Sequence, residues 1–344
     1  MLLSGFLTQL INEPITLIAI ILLSGVITVN GWTDAPTAIA TCISTRSITP
    51  KKAVVLAALM NFSGVSVMSL LSGKVVDTVT SIADFGNNPK TACITLSASM
   101  LTIILWAVTA WFFGIPTSES HALVASLAGA SIALSHNFSS ISVTELTKII
   151  TGLIISTLTG FLLGFFSAKL TRKFIKNKDR LKTDNYFRYL QNIAAGFMSF
   201  MHGAQDGQKF AGVFILIKKY SLNNYEINNI SLIIWVSLFM ALGTSMGGMR
   251  IIKTMGNDMV NLKKYQGFAA DFSGASSLLI STLTGLPVST THTKTTAIMG
   301  VGAAHKITSV DWKIVKDMIF TWIFTFPGCG FLGYLITKIF LFLR

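Results

Sequence analysis

Apolar runs recur along the 344-residue chain, separated by short polar stretches. Residues 15–29, 53–71, 94–113, 149–168, 231–247 and 318–341 reach or approach the ~20 apolar residues with which a helix crosses a bilayer. The pattern predicts a first span that breaks at Asn30-Gly31, shortly before Pro36, a basic turn at 46–52, and a second span over 53–71. A polar loop at 77–90 then leads to two apolar arms, 92–113 and 122–134. The second arm is short for a crossing and rich in Ala, Gly and Ser, which suits a re-entrant hairpin packed against other helices. A span over 149–168 closes this half. The back half follows the same plan: a span over 191–217 interrupted at His202-Gly203, a span over 231–247, two arms, and a closing span over 318–341.

The turns of the two hairpins are copies. Gly114-Ile-Pro-Thr-Ser-Glu-Ser-His121 and Gly285-Leu-Pro-Val-Ser-Thr-Thr-His292 both read Gly-x-Pro-x-Ser-x-Ser/Thr-His, and each is followed by a Gly fifteen positions after the first. Upstream, Gly31-Trp-Thr-Asp34 matches Gly203-Ala-Gln-Asp206, at intervals of 83 (114 − 31) and 82 (285 − 203) residues. Two motifs in the same order at the same interval mark a duplication. The units are residues 1–168, a hydrophilic linker over 169–188, and residues 189–344.

Composition supports the pattern: 51% of residues are hydrophobic and 12% charged, so a soluble protein would need nearly every helix to be apolar all round. The expected fold is an all-α polytopic membrane protein of two repeats, each with spanning helices and a re-entrant helical hairpin. Cys42, Cys93 and Cys329 are scattered among apolar segments and suggest neither a disulfide framework nor a metal site. With no Lys or Arg before Arg46, the start lacks the basic region of a cleaved signal peptide, so Met1 is expected to be at or near the mature start.

The net charge of +13 sits in four segments: 46–52, 169–188, 250–264 and 306–317. Such clustering follows the positive-inside rule for cytoplasmic loops and argues against nucleic-acid binding. Three crossings per half, or five if both hairpin arms span, is an odd number. The second repeat is therefore inverted relative to the first, all four basic segments fall on the cytoplasmic side of the plasma membrane, and both termini lie outside. That is the logic of an alternating-access secondary transporter with a midplane site between inverted repeats.

The hairpin turns place Ser/Thr clusters at helix N-termini, where unpaired N–H groups and the dipole favour an anion. Ser118, Ser120, Ser289, Thr290 and Thr291 are the candidate donors to a small oxyanion, with N-capping as the plainer role. Asp34 and Asp206 are carboxylates within apolar spans, which cost about 2.5–3.5 kcal/mol on insertion and are functional by default. They suit Na⁺ ligation or proton carriage, with an Asp206–Lys209 salt bridge as the structural alternative. Glu119, whose counterpart is Thr290, reads as a cation ligand or protonatable gate. His121 and His292 read as orienting residues, and His202 as ambiguous. No nucleotide-binding Gly-Lys-Ser/Thr motif and no cofactor motif is present, and no enzymatic activity is expected.

Through Gly31-Trp-Thr-Asp-Ala-Pro-Thr-Ala-Ile-Ala-Thr, His202-Gly-Ala-Gln-Asp-Gly-Gln-Lys209 and both hairpins, nearly the whole chain resembles the PiT family of inorganic phosphate transporters. The resemblance implies symport of phosphate with Na⁺ or H⁺, commonly as a homodimer. By position it implies a phosphate site from the hairpin turns with Gln205, Asp206 and Lys209, and a coupling-ion site from Asp34 with Thr33, Thr37, Glu119 and Asp206. Thr33, Thr37, Gln205 and Lys209 replace the family's usual Asn residues, which leaves the ion as Na⁺ or H⁺. A sulfate or other oxyanion permease, a channel with hairpin filters and a membrane-embedded enzyme are the alternatives.

Overall fold

In the computed structural model, which describes residues 13–221 and 229–343, the described residues form thirteen α-helices. The described residues contain no strand beyond two isolated β-bridges, Ala83 with Ile141 and Val260 with Val310. Capping residues fix most starts. The side chains of Asn88, Ser118, Ser142, Asp179, Ser289 and Asp311 accept backbone N–H groups of the turns they precede, and Pro opens three other first turns and reinforces the one capped by Asn88.

Helices α1 (Pro14–Thr33) and α2 (Pro36–Ser44) form one bent span. The break falls at Asp34-Ala35, not Asn30-Gly31, because Pro36 has no N–H to continue the ladder. The N–H groups of Asp34 and Ala35 both turn to the Asn30 carbonyl, and that of Thr37 turns to the Asp34 carbonyl. α3 (Pro50–Leu71) is the second span, and a short α4 (Lys74–Thr80) occupies the start of the stretch expected to be a loop. The hairpin arms are α5 (Pro89–Phe112) and α6 (Glu119–Ser135), followed by α7 (Val143–Ile175). The back half comprises α8 (Arg180–Lys219), α9 (Asn229–Ser245), α10 (Met249–Lys253), the arms α11 (Lys264–Thr284) and α12 (Thr290–His305), and α13 (Trp312–Phe342). The α1–α2 span, α3, α5, α7 and α13 are each long and apolar enough to cross a membrane, and α9 with residues 249–256 forms a sixth candidate bent by 66°.

The expected interruption at His202-Gly203 is absent: α8 runs unbroken through it. Gly203 has a packing role instead, since a Cβ there would lie 2.3 Å from the Asn61 carbonyl oxygen on α3. Small residues let membrane helices approach closely, and here α3 and α8 cross backbone to backbone. The basic segment 169–188 is also largely helical, ending α7 and opening α8 around a short turn at 176–179.

Corresponding helices of the two halves exchange partners. α6 packs on α13 and α12 on α7, while α1 packs on α9 and α8 on α3. Within each half, the first broken or polar helix packs on the first arm, α1 on α5 and α8 on α11. Matched glycines sustain this arrangement. A Cβ on Gly129 would meet the Gly330 carbonyl at 2.0 Å, and one on Gly300, its counterpart, would meet that of Phe161 at 2.1 Å. Apolar side chains such as Leu59, Leu158 and Phe320 point outward, where a bilayer would cover them, whereas the second half of α8 is almost wholly buried. A polar helix is thus wrapped by apolar ones, and the site forms along it.

Candidate functional site

The first arms, α5 and α11, rise about 36 and 31 Å at helical pitch, whereas the second arms, α6 and α12, rise only about 25 Å. Non-helical residues, 115–118 and 286–289, separate each turn from its second arm. Gly114 and Gly285 make the turns with φ of 70° and 77°, which suits glycine. Each turn is held by a short helix of the other half: Thr254 donates to the Gly114 carbonyl at 3.0 Å and Thr78 to the Gly285 carbonyl at 3.2 Å.

The N-termini of α6 and α12 meet at α8 and the α1–α2 break. Lys209 lies at their junction, 2% exposed. Its Nζ donates to Ser120 Oγ at 2.6 Å, to Asp206 Oδ1 at 2.6 Å and to the Val288 carbonyl at 2.5 Å. The Asp206–Lys209 ion pair, the structural alternative for Asp206, therefore forms, and Lys209 also reaches both hairpins. Thr290 Oγ1 lies 3.2 Å from Asp34 Oδ2 and 3.3 Å from Asp206 Oδ2, and Thr291 donates to Asp34 Oδ1. Thr33 donates to Glu119, and Asn30 Nδ2 donates to Asp206 Oδ2 at 3.2 Å. His202 Nε2 stands 3.4 Å from Asp206 Oδ2 while its Nδ1 meets Asn61 Oδ1 at 3.1 Å.

The residues assigned to the anion and to the cation thus make one continuous cluster. Three carboxylates, Asp34, Glu119 and Asp206, share it with one lysine, and all four are buried. Buried charge of one sign requires compensation, so bound cations or protons would complete the balance. Asp34, His202 and Asp206 each offer a ligand atom, all within 4.8 Å of one another, and could hold a cation. Thr37 is buried beside the break with its hydroxyl lacking a partner, available as a further oxygen.

Ser118 and Ser289 act as N-caps, accepting from the N–H groups of His121 and His292 at 3.2 Å each. Their hydroxyl hydrogens stay free to donate. Gln205 turns toward the second hairpin, its Nε2 reaching Thr282 Oγ1 at 3.3 Å and the Leu286 carbonyl at 3.1 Å, and its Oε1 has no partner. The histidine rings of the two hairpins meet edge to face at 4.4 Å between centroids, flanked by Trp322 and Phe326 of α13. The contact is ring packing: among the described residues, neither nitrogen of His121 nor Nε2 of His292 has a hydrogen-bond partner. Sequence reasoning missed Asn30 and Asn61, whose side chains hold Asp206 and His202.

The profile of the phosphate transporter family matches residues 30–333. A probable low-affinity inorganic phosphate transporter of Bacillus subtilis is 35% identical over 89% of this chain and 91% of its own length. One from Rhizobium meliloti is 35% identical over 88% of this chain and 90% of its own. A solved structure described as the sodium-dependent phosphate transporter superposes with a TM-score of 0.84 at 19% identity, covering 96% of this chain and all of that one.

Proposed function

Since the chain belongs to the phosphate transporter family, we propose that it imports inorganic phosphate by symport with a cation, Na⁺ or H⁺, across the plasma membrane. The observation that carries this reading is the convergence of two helix N-termini, their hydroxyls and Lys209 on three buried carboxylates. The helix ends, Ser118, Ser120, Ser289, Thr290, Thr291, Gln205 and Lys209 hold the oxyanion. Asp34, Glu119 and Asp206, with Thr33 and Thr37, hold the coupling cation. Neither charge is comfortable alone in a buried site, so binding of each favours the other. Transport follows when one inverted repeat rocks against the other around this site. A carboxylate that accepts a hydrogen bond from a protonated oxyanion favours phosphate over sulfate, which has no proton to donate at neutral pH.

The test is labelled phosphate uptake into proteoliposomes of the pure protein, driven in parallel by an Na⁺ gradient and by a pH gradient, with unlabelled sulfate as competitor. Accumulation against a phosphate gradient, driven by one cation and indifferent to sulfate, is the expected result and names the ion. Sulfate that blocks uptake and is itself accumulated would make the protein a sulfate permease of the same architecture. Uptake that never runs uphill would make it a channel.

A further inference from the structure

A second charged cluster lies beyond the site just described. Lys294 of α12 pairs with Asp271 of α11, and Thr41 of α2 donates to the same carboxylate oxygen. Lys294 Nζ also stands 3.3 Å from Thr41 Oγ1. All three residues are 0% exposed, and Asp271 Oδ2 has no hydrogen-bond partner. Lys294 follows Thr291 by three residues, so it sits about one helical turn, roughly 5 Å, further along α12. The elements that carry the cluster all open onto basic segments: α2 onto Arg46, Lys51 and Lys52, α11 onto Lys263 and Lys264, and α12 onto Lys306.

The duplication supplies an internal control. The hairpins repeat at 171 residues (285 − 114) and the upstream motifs at 172 (206 − 34). The counterparts of Asp271, Lys294 and Thr41 are therefore Met100, Leu123 and Val213, which belong to one hydrophobic cluster and are at most 1% exposed. The fold thus fills the equivalent positions of the other half with apolar packing. Replacing a buried ion pair by apolar groups is commonly neutral or stabilising, so stability does not account for charges on this side only. A passing ion does.

We propose that Lys294 is a second oxyanion station, through which phosphate passes between the Lys209 site and the basic face of the protein. In the absence of the anion, Asp271 serves as the internal counter-ion and Thr41 orients it. When phosphate arrives, its oxygens replace the carboxylate at the ammonium group, and the open Asp271 oxygen accepts a hydrogen bond from the protonated oxyanion. The proposal rests on the phosphate-transport reading, and it makes the two faces of the transporter unequal.

The test copies the apolar side onto the charged one, as T41V/D271M/K294L, and measures phosphate half-saturation in right-side-out and inside-out membrane vesicles. Half-saturation from the basic face should rise roughly tenfold or more, as expected for a lost charged hydrogen-bonding group, while the opposite face stays within about twofold. No change at the basic face, or an equal change at both, overturns the proposal. If the triple variant is not recovered folded, D271N decides. It frees Lys294 of its internal competitor at constant shape, so half-saturation from the basic face should fall severalfold, and an unchanged or raised value overturns the station. A wild-type protein that takes up no phosphate from either face would defeat the transport reading itself, before any variant is compared.

Discussion

At the scale of the residue, Lys209 decides how the site is held together. Its ammonium group joins Asp206 to both hairpins, and removing one partner of a buried pair leaves the other uncompensated at a cost of about 3–5 kcal/mol. K209M should therefore melt well below wild type in detergent, while the double variant D206N/K209M, which removes both members of the pair, recovers most of the loss. D206N alone should abolish phosphate accumulation. A K209M protein as stable as wild type would show that the pair contributes nothing to the fold, and D206N with unchanged uptake and selectivity would remove Asp206 from the site. Asp34 and Asp206 were legible because a carboxylate in an apolar run is conspicuous. Asp271 and Lys294 carried the same signal, a charge inside an apolar arm, and an inventory of every such charge would have found them. Asn61 and Thr41 carried none: their polarity matters only because of what packs against them.

At the scale of the element, the two second arms begin where their caps place them. Ser289 accepts the His292 N–H, and under the proposed function its own hydroxyl hydrogen donates to the anion. The two roles separate by substitution. S289A loses the cap, costing about 1 kcal/mol, and also the donor. S289D keeps a capping oxygen but offers no donor and adds a negative charge. Phosphate uptake should fall in both variants, with thermal stability lowered by the lost cap in S289A and by the added buried charge in S289D. An S289D protein that transports normally would confine Ser289 to capping. The α8 helix teaches a related point. A Gly in an apolar run signals either a break or a close approach, and the His202-Gly203 pair belongs to the second case because α3 comes within backbone contact. The first-half break shifted for the opposite reason, since Pro36 and not Gly31 lacks the N–H that the ladder needs.

For the whole molecule, the inverted arrangement makes a geometric claim. Lys51, Lys182 and Lys306 should face the cytoplasm, and Asn87 and Asn137 the outside. The native cysteines are buried, which keeps the labelling background low. Single-cysteine substitutions at these five positions, treated in intact cells with a membrane-impermeant maleimide, should label only at Asn87→Cys and Asn137→Cys. Labelling of any of the three basic positions would break the parity on which the inversion rests. The two terminal residues, Met1 and Arg344, lie outside the described residues, so their expected external position is carried by the same loops.

The sequence by itself determined the class of protein, the duplication and the motifs that meet in the candidate site. Hydrophobic runs, their repetition and misplaced carboxylates are local properties, and bilayer thickness turns them directly into helices. Only the tertiary structure decided which charges meet. Asp34, Glu119, Asp206 and Lys209 form one cluster because α6 and α12 meet end to end against α8, and Asp271 meets Lys294 because α11 and α12 lie side by side against α2. Those contacts join residues up to 257 positions apart. Spacing along a helix says which face a side chain occupies, but the partner arriving at that face is set by how the repeats interlock.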